Sequence, residues 1–290
     1  MKTPVPRLAA IHDLSGFGRA ALTVVIPILS TMGIQVCPLP TAVLSTHGAF
    51  PGCKFVDLTE QLQEFIAHWK SLGIEFDAIY SGFLGSSRQI DIMSAFIRDF
   101  ARDDQLVVID PVLGDDGKLY GITAPNMVEQ MRRYIRLADV ITPNITEAAV
   151  LLGETYRADI EEQEAKDWIV RLGEQGPRMV IITSVPIPHT KKQTAVIAHN
   201  RDDGRFWKVS CDYIPAYFPG TGDAFTSVVV GSLLQGDSLP IALDRAVQFI
   251  STAIRATFGH QYPLREGVLL ERVLNTLRAP IVPSSFEILE

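Results

Sequence analysis

Residues 106–115 read LVVIDPVLGD, an apolar run that ends at Asp110 and continues into a turn containing proline and glycine. A short run of aliphatic and β-branched residues bounded by turn residues is typical of a strand buried on both faces of a parallel sheet. A segment of helical period follows at 126–137, and the next apolar run begins at Val140. This order of strand, turn, helix and strand predicts a βαβ unit.

The same alternation extends from this unit in both directions along the chain. Strands are predicted at 7–11, 35–39, 78–81, 106–110, 140–142 and 179–183, and helices at 19–32, 59–72, 89–102, 126–137, 145–152 and 160–174. Two runs at 194–199 and 206–210, joined by the turn sequence NRDDGR, predict an antiparallel hairpin at the sheet edge. Helices are predicted at 222–234, 238–258 and 265–277.

These elements predict an α/β fold with three layers, in which helices cover both faces of a doubly wound, mostly parallel sheet. No linker rich in proline, glycine or serine divides the chain. We therefore expect residues 1–290 to form a single domain, with a small lid within residues 40–55.

Composition narrows the classes of partner. The net charge is −7, from 26 Lys and Arg against 33 Asp and Glu, so the chain lacks the basic field that holds nucleic acid. No apolar run approaches the roughly 18 residues of a membrane-spanning helix, and the N-terminus lacks the pattern of a signal peptide. These features predict a cytoplasmic protein that binds small molecules.

Small, polar and acidic residues follow the predicted strands, at the edge where ligands bind in open α/β sheets. Taken singly, each could be a turn former or a helix cap. Their recurrence at nearly every strand end favours a binding site. The candidates are Asp13, Ser15, Ser45, His47, Asp110, Thr142, Asn144, Glu147, Thr183 and Ser184.

The strongest single signal is the glycine loop at 219–225, PGTGDAF, which leads directly into an apolar helix. Glycines allow successive backbone N–H groups to converge, and the helix start adds unpaired donors and the positive end of its dipole. Gly220, Thr221 and Gly222 therefore predict a site for a transferring phosphate, with Asp223 beside it as a base. Asp223 could instead be a simple helix cap, although a cap alone does not require two glycines around a threonine.

Other nucleotide motifs do not fit. Residues 16–21 match G-x-G-x-x-A, but no acidic residue ends the second predicted strand to hold a ribose. The chain contains no G-x-x-x-x-G-K-[ST], no H-E-x-x-H and no G-x-S-x-G.

The motifs resemble those of the ribokinase-like superfamily and, within it, the kinases that phosphorylate pyridoxal and related B6 vitamers. The resemblance spans essentially the whole chain. The segments that carry it are GTGD at 220–223, DPVLGD at 110–115, TPN at 142–144 with Glu147, and SGFLG at 81–85.

This resemblance implies a role for each candidate. Asp223 would be the base, and the backbone of Gly220, Thr221 and Gly222 would form the anion hole. ATP and Mg²⁺ would be bound by Asp110, Tyr120, Thr142, Asn144, Glu147, Thr183 and Ser184, with Asp110 and Glu147 nearest the metal. The vitamer would contact Asp13, Ser15, Ser45, His47 and Phe83. The resemblance also implies a homodimer and a possible site for a monovalent cation such as potassium.

Two segments depart from the pyridoxal kinase pattern, and both lie on the substrate side. Residues 12–16 read HDLSG where those kinases have Gln-Ser-His, and this stretch is closer to the Ser-Asp-Pro-Ser-Gly of hydroxymethylpyrimidine kinases. Residues 45–48 read STHG where the usual sequence is Ser-Asn-His-Thr.

The expected activity is ATP-dependent phosphorylation of the 5′-hydroxymethyl group of pyridoxal, pyridoxamine or pyridoxine, in pyridoxal 5′-phosphate salvage. The first alternative is the hydroxymethylpyrimidine kinase of thiamine synthesis. A sugar kinase is a weaker alternative, because the pocket positions offer few acidic residues to bind several hydroxyls. From a different class, the chain could be a non-catalytic protein that binds a vitamer or a nucleotide.

Overall fold

Strand β1 (Arg7–Ser15) is buried along most of its length and pairs in parallel with a neighbour on each side. The computed structural model describes residues 4–121, 123–187, 193–280 and 286–289. The other strands are β2 (Gln35–Leu44), β3 (Phe55–Asp57), β4 (Ala78–Ser81), β5 (Leu106–Ile109), β6 (Gly114–Asp115), β7 (Lys118–Leu119), β8 (Val140–Ile141), β9 (Met179–Pro186), β10 (Gln193–Asn200), β11 (Arg205–Asp212) and β12 (Phe286–Leu289).

The described strands form one ten-stranded sheet in the order β12-β11-β10-β9-β8-β5-β4-β1-β2-β3, and β6 pairs with β7 in a separate hairpin. The central strands, in the sheet order β2-β1-β4-β5-β8-β9, pair in parallel. The outer strands pair antiparallel, with β3 next to β2 on one side and β10, β11 and β12 following β9 on the other. The predicted fold class is therefore confirmed. The predicted hairpin is present as β10 and β11, but its placement at the sheet edge is wrong, because β12 pairs with β11 on the outer side.

Helices cover both faces of the sheet. They are α1 (Leu22–Thr31), α2 (Thr59–Ser71), α3 (Ser87–Asp99), α4 (Pro125–Tyr134), α5 (Ile145–Leu152), α6 (Glu162–Gly173), α7 (Thr221–Leu234) and α8 (Leu239–Phe258). Each begins and ends within three residues of its predicted bounds. None of the described helices is both long and apolar enough to cross a membrane.

Alternate strand residues contribute to two hydrophobic cores, one on each face. Tyr80 packs in the core formed with α1, α7 and α8, whereas its neighbour Ile79 packs in the core formed with α2 through α6. Such alternation is what a two-residue side-chain period produces in a sheet covered on both sides. The carboxyl ends of the parallel strands thus meet at one edge, and their loops lie together.

The predicted helix at 265–277 is wrong. The chain there forms three short 3-10 helices at Leu264–Glu266, Leu270–Arg272 and Leu274–Arg278. Gly267 interrupts the segment with a φ of +81°, and a Cβ there would lie 2.8 Å from the carbonyl oxygen of Arg19. The segment therefore follows the surface of the β1–α1 loop, and this tertiary contact overrides its helical period.

Candidate active site

A cavity of about 630 Å³ opens where the loops after β1, β2 and β4 meet the start of α7. This volume lies within the range typical of small-molecule sites. Six of the predicted site residues line it, namely Asp13, His47, Phe83, Tyr120, Gly220 and Asp223. The topology therefore brings together residues that are up to 210 positions apart in the sequence (223 − 13).

Asp223 lies in the first turn of α7, and its two carboxylate oxygens have different surroundings. Oδ2 accepts a hydrogen bond from the backbone N–H of Ala21 at 2.8 Å. Oδ1 lies 3.8 Å from Nδ1 of the fully buried His12, and 17% of the Asp223 side chain remains exposed. Oδ2 is thus held in place, whereas Oδ1 forms no hydrogen bond with the residues that the structure describes.

Burial raises the pKa of Asp223 to about 7, and the charge of Asp13 adds to the rise, while the Ala21 N–H partly offsets it. Near neutral pH this carboxyl group can therefore both accept and release a proton. A carboxyl pKa close to the working pH is the condition that favours a general base.

The loop before Asp223 is shaped by glycine. Gly220 caps α7 with a φ of +79°, and a Cβ there would lie 2.2 Å from the carbonyl oxygen of Arg19. At Gly222, by contrast, a Cβ would meet no atom within 4 Å. The backbone N–H groups of the first helical turn have no intrahelical partner, and they point out from the start of α7 together with the positive end of the helix dipole. The arrangement suits an anion.

Two further carboxylates lie behind this loop. Burial raises the pKa of Asp110 to about 8, with the charge of Asp223 adding to the rise and the hydroxyls of Thr142 and Thr226 opposing it. Burial and the charge of Asp110 raise the pKa of Glu147 well above its usual value. The ionised carboxylates of Asp110, Glu147 and Asp223 repel one another, and a divalent cation would relieve this repulsion.

Asn144 and Glu147 form a capping box at the start of α5. The Asn144 side chain accepts from the N–H of Glu147 at 3.0 Å, and Glu147 Oε2 accepts from the N–H of Asn144 at 2.8 Å. Glu147 Oε1 accepts from the N–H of Leu113, and Asn144 Nδ2 donates to the carbonyl of Gly114. Both side chains therefore hold the loop after Asp110 in place, as well as capping the helix.

On the substrate side, hydrogen bonds fix two polar residues. Ser15, fully buried, donates to Asp13 Oδ2 at 3.1 Å. His47 Nε2 donates to the carbonyl of Arg265 at 2.7 Å and Nδ1 accepts from the N–H of Ala49, so the ring is neutral and protonated at Nε2. Burial lowers the pKa of His47, which also favours the neutral form.

The predicted residues that do not line the cavity include Ser45, Thr183 and Ser184. Ser45 is exposed, and its Oγ accepts from the N–H of Lys54. Thr183 and Ser184 lie in β9, where Thr183 forms a bridge with Asn144. Ser184 is exposed and has a φ of +60°. These two therefore adjoin the carboxylate side of the site and not the cavity.

Several residues of the site escape the sequence analysis. Ala21 acts through its backbone N–H, and no side-chain pattern indicates this. Thr226 lies three residues after Asp223, a spacing that places both on one helix face and could have indicated it. Gly82 within the SGFLG segment is explained by His12, since a Cβ there would lie 2.3 Å from its Nδ1. Cys53 and Tyr217 also line the cavity.

The site defines a ribokinase-like kinase. It combines a glycine loop at a helix start, a carboxyl group beside it with a pKa of about 7, and further carboxylates at neighbouring strand ends. Comparison with known families narrows the class. The profile of the phosphomethylpyrimidine kinase family matches residues 57–267, and the chain belongs to this family. The predicted membership of the ribokinase-like superfamily is confirmed.

Individual relatives include proteins that bear a pyridoxal kinase name. A Bacteroides thetaiotaomicron protein, provisionally named a phosphomethylpyrimidine kinase and crystallised with pyridoxal, is 58% identical, with a TM-score of 0.96 over 98% of this chain and 100% of that one. Pyridoxal kinase from Lactobacillus plantarum is 31% identical, with a TM-score of 0.86 over 94% and 96%. Pyridoxal kinase of Arabidopsis thaliana is 29% identical over 238 residues, which are 79% of this chain and 75% of that protein.

The two glycines of the loop should differ sharply when replaced. Gly220→Ala forces a side chain into the left-handed region and against a backbone oxygen, so we expect the free energy of unfolding to fall by roughly 2 kcal/mol or more. Gly222→Ala points into open space and should change it by less than about 0.5 kcal/mol. Urea unfolding of both variants measures this. Equal destabilisation would contradict this loop geometry.

Proposed function

We propose that the chain transfers the γ-phosphate of ATP to the 5′-hydroxymethyl group of a B6 vitamer, namely pyridoxal, pyridoxamine or pyridoxine. The observation that carries this proposal is the position of Asp223, whose Oδ1 faces His12 and the cavity beside the open anion loop. The Bacteroides relative crystallised with pyridoxal, and the pyridoxal kinase from Lactobacillus plantarum, support the substrate class.

Asp223 would accept the proton of the substrate hydroxyl at Oδ1. The Ala21 N–H holds Oδ2, which fixes the plane of the carboxylate toward the cavity. Because the transition state of phosphoryl transfer is loose, the hydroxyl loses its proton late, and positioning matters more than basicity. The N–H groups at the start of α7 would stabilise the charge on the transferring phosphoryl group.

The pocket would hold the pyridine ring between apolar and polar walls. Phe83 presents an aromatic ring, whereas Asp13, fixed by Ser15, and His47, fixed by Arg265, offer hydrogen-bonding groups. The loop between β2 and β3, within the lid expected at 40–55, would cover the ring. Ser45 belongs to this loop, and its contact with the vitamer stays a prediction.

ATP and Mg²⁺ would bind on the carboxylate side. Mg²⁺ would neutralise the charge of the phosphates, with Asp110 and Glu147 holding it partly through water. Among the described residues, no group of three His, Cys, Asp or Glu side chains is arranged to hold a metal alone, so phosphate oxygens would complete the set. Thr142, Asn144, Thr183, Ser184 and Tyr120 would contact the phosphates. Potassium dependence and a homodimer also remain proposals.

Hydroxymethylpyrimidine kinase is the second candidate activity. The observation that favours it is the HDLSG segment, since Asp13 lines the cavity and is fixed by Ser15. A non-catalytic binding protein is disfavoured, because burying Asp223 beside an anion loop costs free energy that binding alone does not require.

The substrate assignment is tested by turnover. With ATP and Mg²⁺, we expect kcat/KM for pyridoxal to exceed that for 4-amino-5-hydroxymethyl-2-methylpyrimidine by about 10-fold or more, because the pocket would recognise ring substituents that the pyrimidine lacks. Mass spectrometry of the phosphorylated products measures both. A preference for the pyrimidine would establish the second candidate instead.

Replacement of Asp223 tests its role as the base. Asp223→Asn keeps the shape of the side chain but cannot accept the proton, so we expect kcat to fall by roughly 10²- to 10⁴-fold. The dissociation constant for ATP should stay close to that of the wild type. Asp99→Asn, an exposed carboxylate paired with Lys70, is the matched control. Undiminished turnover in Asp223→Asn would refute the role.

The pKa of Asp223 also sets a pH dependence. A base must be deprotonated, so activity should rise with pH through about 7, the pKa that burial produces, and not through the ordinary carboxyl range near 4. The pH profile of kcat/KM for the vitamer between pH 4 and 9 measures this. A profile that is already flat above pH 5 would contradict the raised pKa.

A further inference from the structure

Arg19 lies in the loop between β1 and α1, and its side chain is fastened to the segment that follows α8. Its Nε donates to both carboxylate oxygens of Glu271, at 3.1 and 3.0 Å. Its Nη1 donates to Tyr262 Oη at 2.7 Å and to the carbonyl of Glu266 at 3.3 Å. Tyr262 Oη in turn donates to Glu266 Oε2 at 2.7 Å. One guanidinium thus joins three residues of this segment.

The backbone of Arg19 is held as closely as its side chain. Its N–H donates to the carbonyl of Glu266 at 3.1 Å. Its carbonyl oxygen lies between two glycines of positive φ, because a Cβ at Gly220 would approach it to 2.2 Å and a Cβ at Gly267 to 2.8 Å. Gly220 belongs to the anion loop and Gly267 to the segment after α8. The Arg19 peptide therefore sets the spacing between these two segments.

Two residues further along, Ala21 has a φ of +52°, which is an uncommon conformation for alanine. Its N–H makes the 2.8 Å hydrogen bond to Asp223. A strained residue of this kind persists only where its surroundings hold it. Ala21 pairs with Leu14 in an isolated antiparallel bridge, and Thr23 Oγ1 bonds both the N–H and the carbonyl of Ala20. The contacts of Arg19 add a further support on the other side of Ala20.

We propose that Arg19 is a positioning residue for phosphoryl transfer, which fixes residues 19–21 so that Ala21 holds Asp223 and the Arg19 carbonyl holds Gly220. The inference rests on the proposed function and deepens it. Arg19 is not among the residues that line the cavity, so it acts through the backbone and not by contact with the vitamer. Its effect falls on the alignment of base and anion loop, where a displacement of about 1 Å can cost roughly 100-fold in rate.

Three variants remove the side-chain contacts of Arg19 to different degrees. Arg19→Ala removes them all, Arg19→Lys keeps the charge but loses the planar fork that serves several acceptors, and Tyr262→Phe removes one hydrogen bond. The control is Arg102→Ala, which breaks an ion pair with Glu75 of 2.8 Å. Arg102 and Glu75 precede β5 and β4, so they lie at the amino ends of the strands, away from the cavity.

For Arg19→Ala we expect kcat to fall by roughly 10- to 100-fold, with KM for pyridoxal and for ATP changed by less than about 3-fold. Arg19→Lys and Tyr262→Phe should lie between this variant and the wild type, and Arg102→Ala should keep the wild-type kcat. All rates are taken per folded molecule, from the unfolding curve of each variant. A role in stability alone would lower the folded fraction and leave kcat per folded molecule unchanged, and that result would overturn the proposal.

Amide hydrogen exchange gives a second readout that does not depend on activity. Arg19→Ala should speed exchange at Ala21, whereas Arg102→Ala should not. Unchanged exchange at Ala21 in Arg19→Ala would also overturn the proposal. If the wild-type chain phosphorylates neither the vitamers nor the pyrimidine, the proposed function fails instead, and the exchange experiment still decides whether Arg19 holds Ala21.

Discussion

The hydrogen bond from the Ala21 N–H to Asp223 connects two helix starts that are 202 residues apart in the chain. It joins the start of α1 to the start of α7, and residues at both helix starts line the cavity. Helices α1 and α7 pack in the same core directly below. The position of the Asp223 carboxylate therefore depends on how α1 and α7 pack against the sheet, and not on local sequence alone.

Burial is the second determinant of the site. Asp110, Glu147 and Asp223 lose solvation together, and each carboxylate has a pKa above its ordinary value. Concentrating negative charge in this way costs stability, since no charged partner relieves it within the set. Such a cost is characteristic of functional sites, where strain and unfavourable burial are maintained by the rest of the fold. The net charge of −7 thus has a local component at the carboxyl ends of the strands.

The sequence predicted much of this fold because its strands are buried on both faces and its helices have clear periods. It missed β3, whose three residues are all exposed, so no burial pattern marks them. It predicted a helix at 265–277 because the apolar spacing there is helical, whereas contact with Arg19 determines the actual path. In the site, the loop at 220–223 could be found because glycine has a distinct backbone conformational range and aspartate carries a carboxylate. Ala21 could not, because its role belongs to its backbone alone.

The central claim is that Asp223 and the start of α7 act on one transferring phosphate. The most direct measurement is a crystal structure of the chain with pyridoxal, Mg²⁺ and a non-hydrolysable ATP analogue. We expect the hydroxymethyl oxygen within about 3 Å of Asp223 Oδ1 and the terminal phosphate over the N–H groups of residues 221–223. A vitamer whose hydroxymethyl group points away from Asp223, or a terminal phosphate bound elsewhere, would contradict the account.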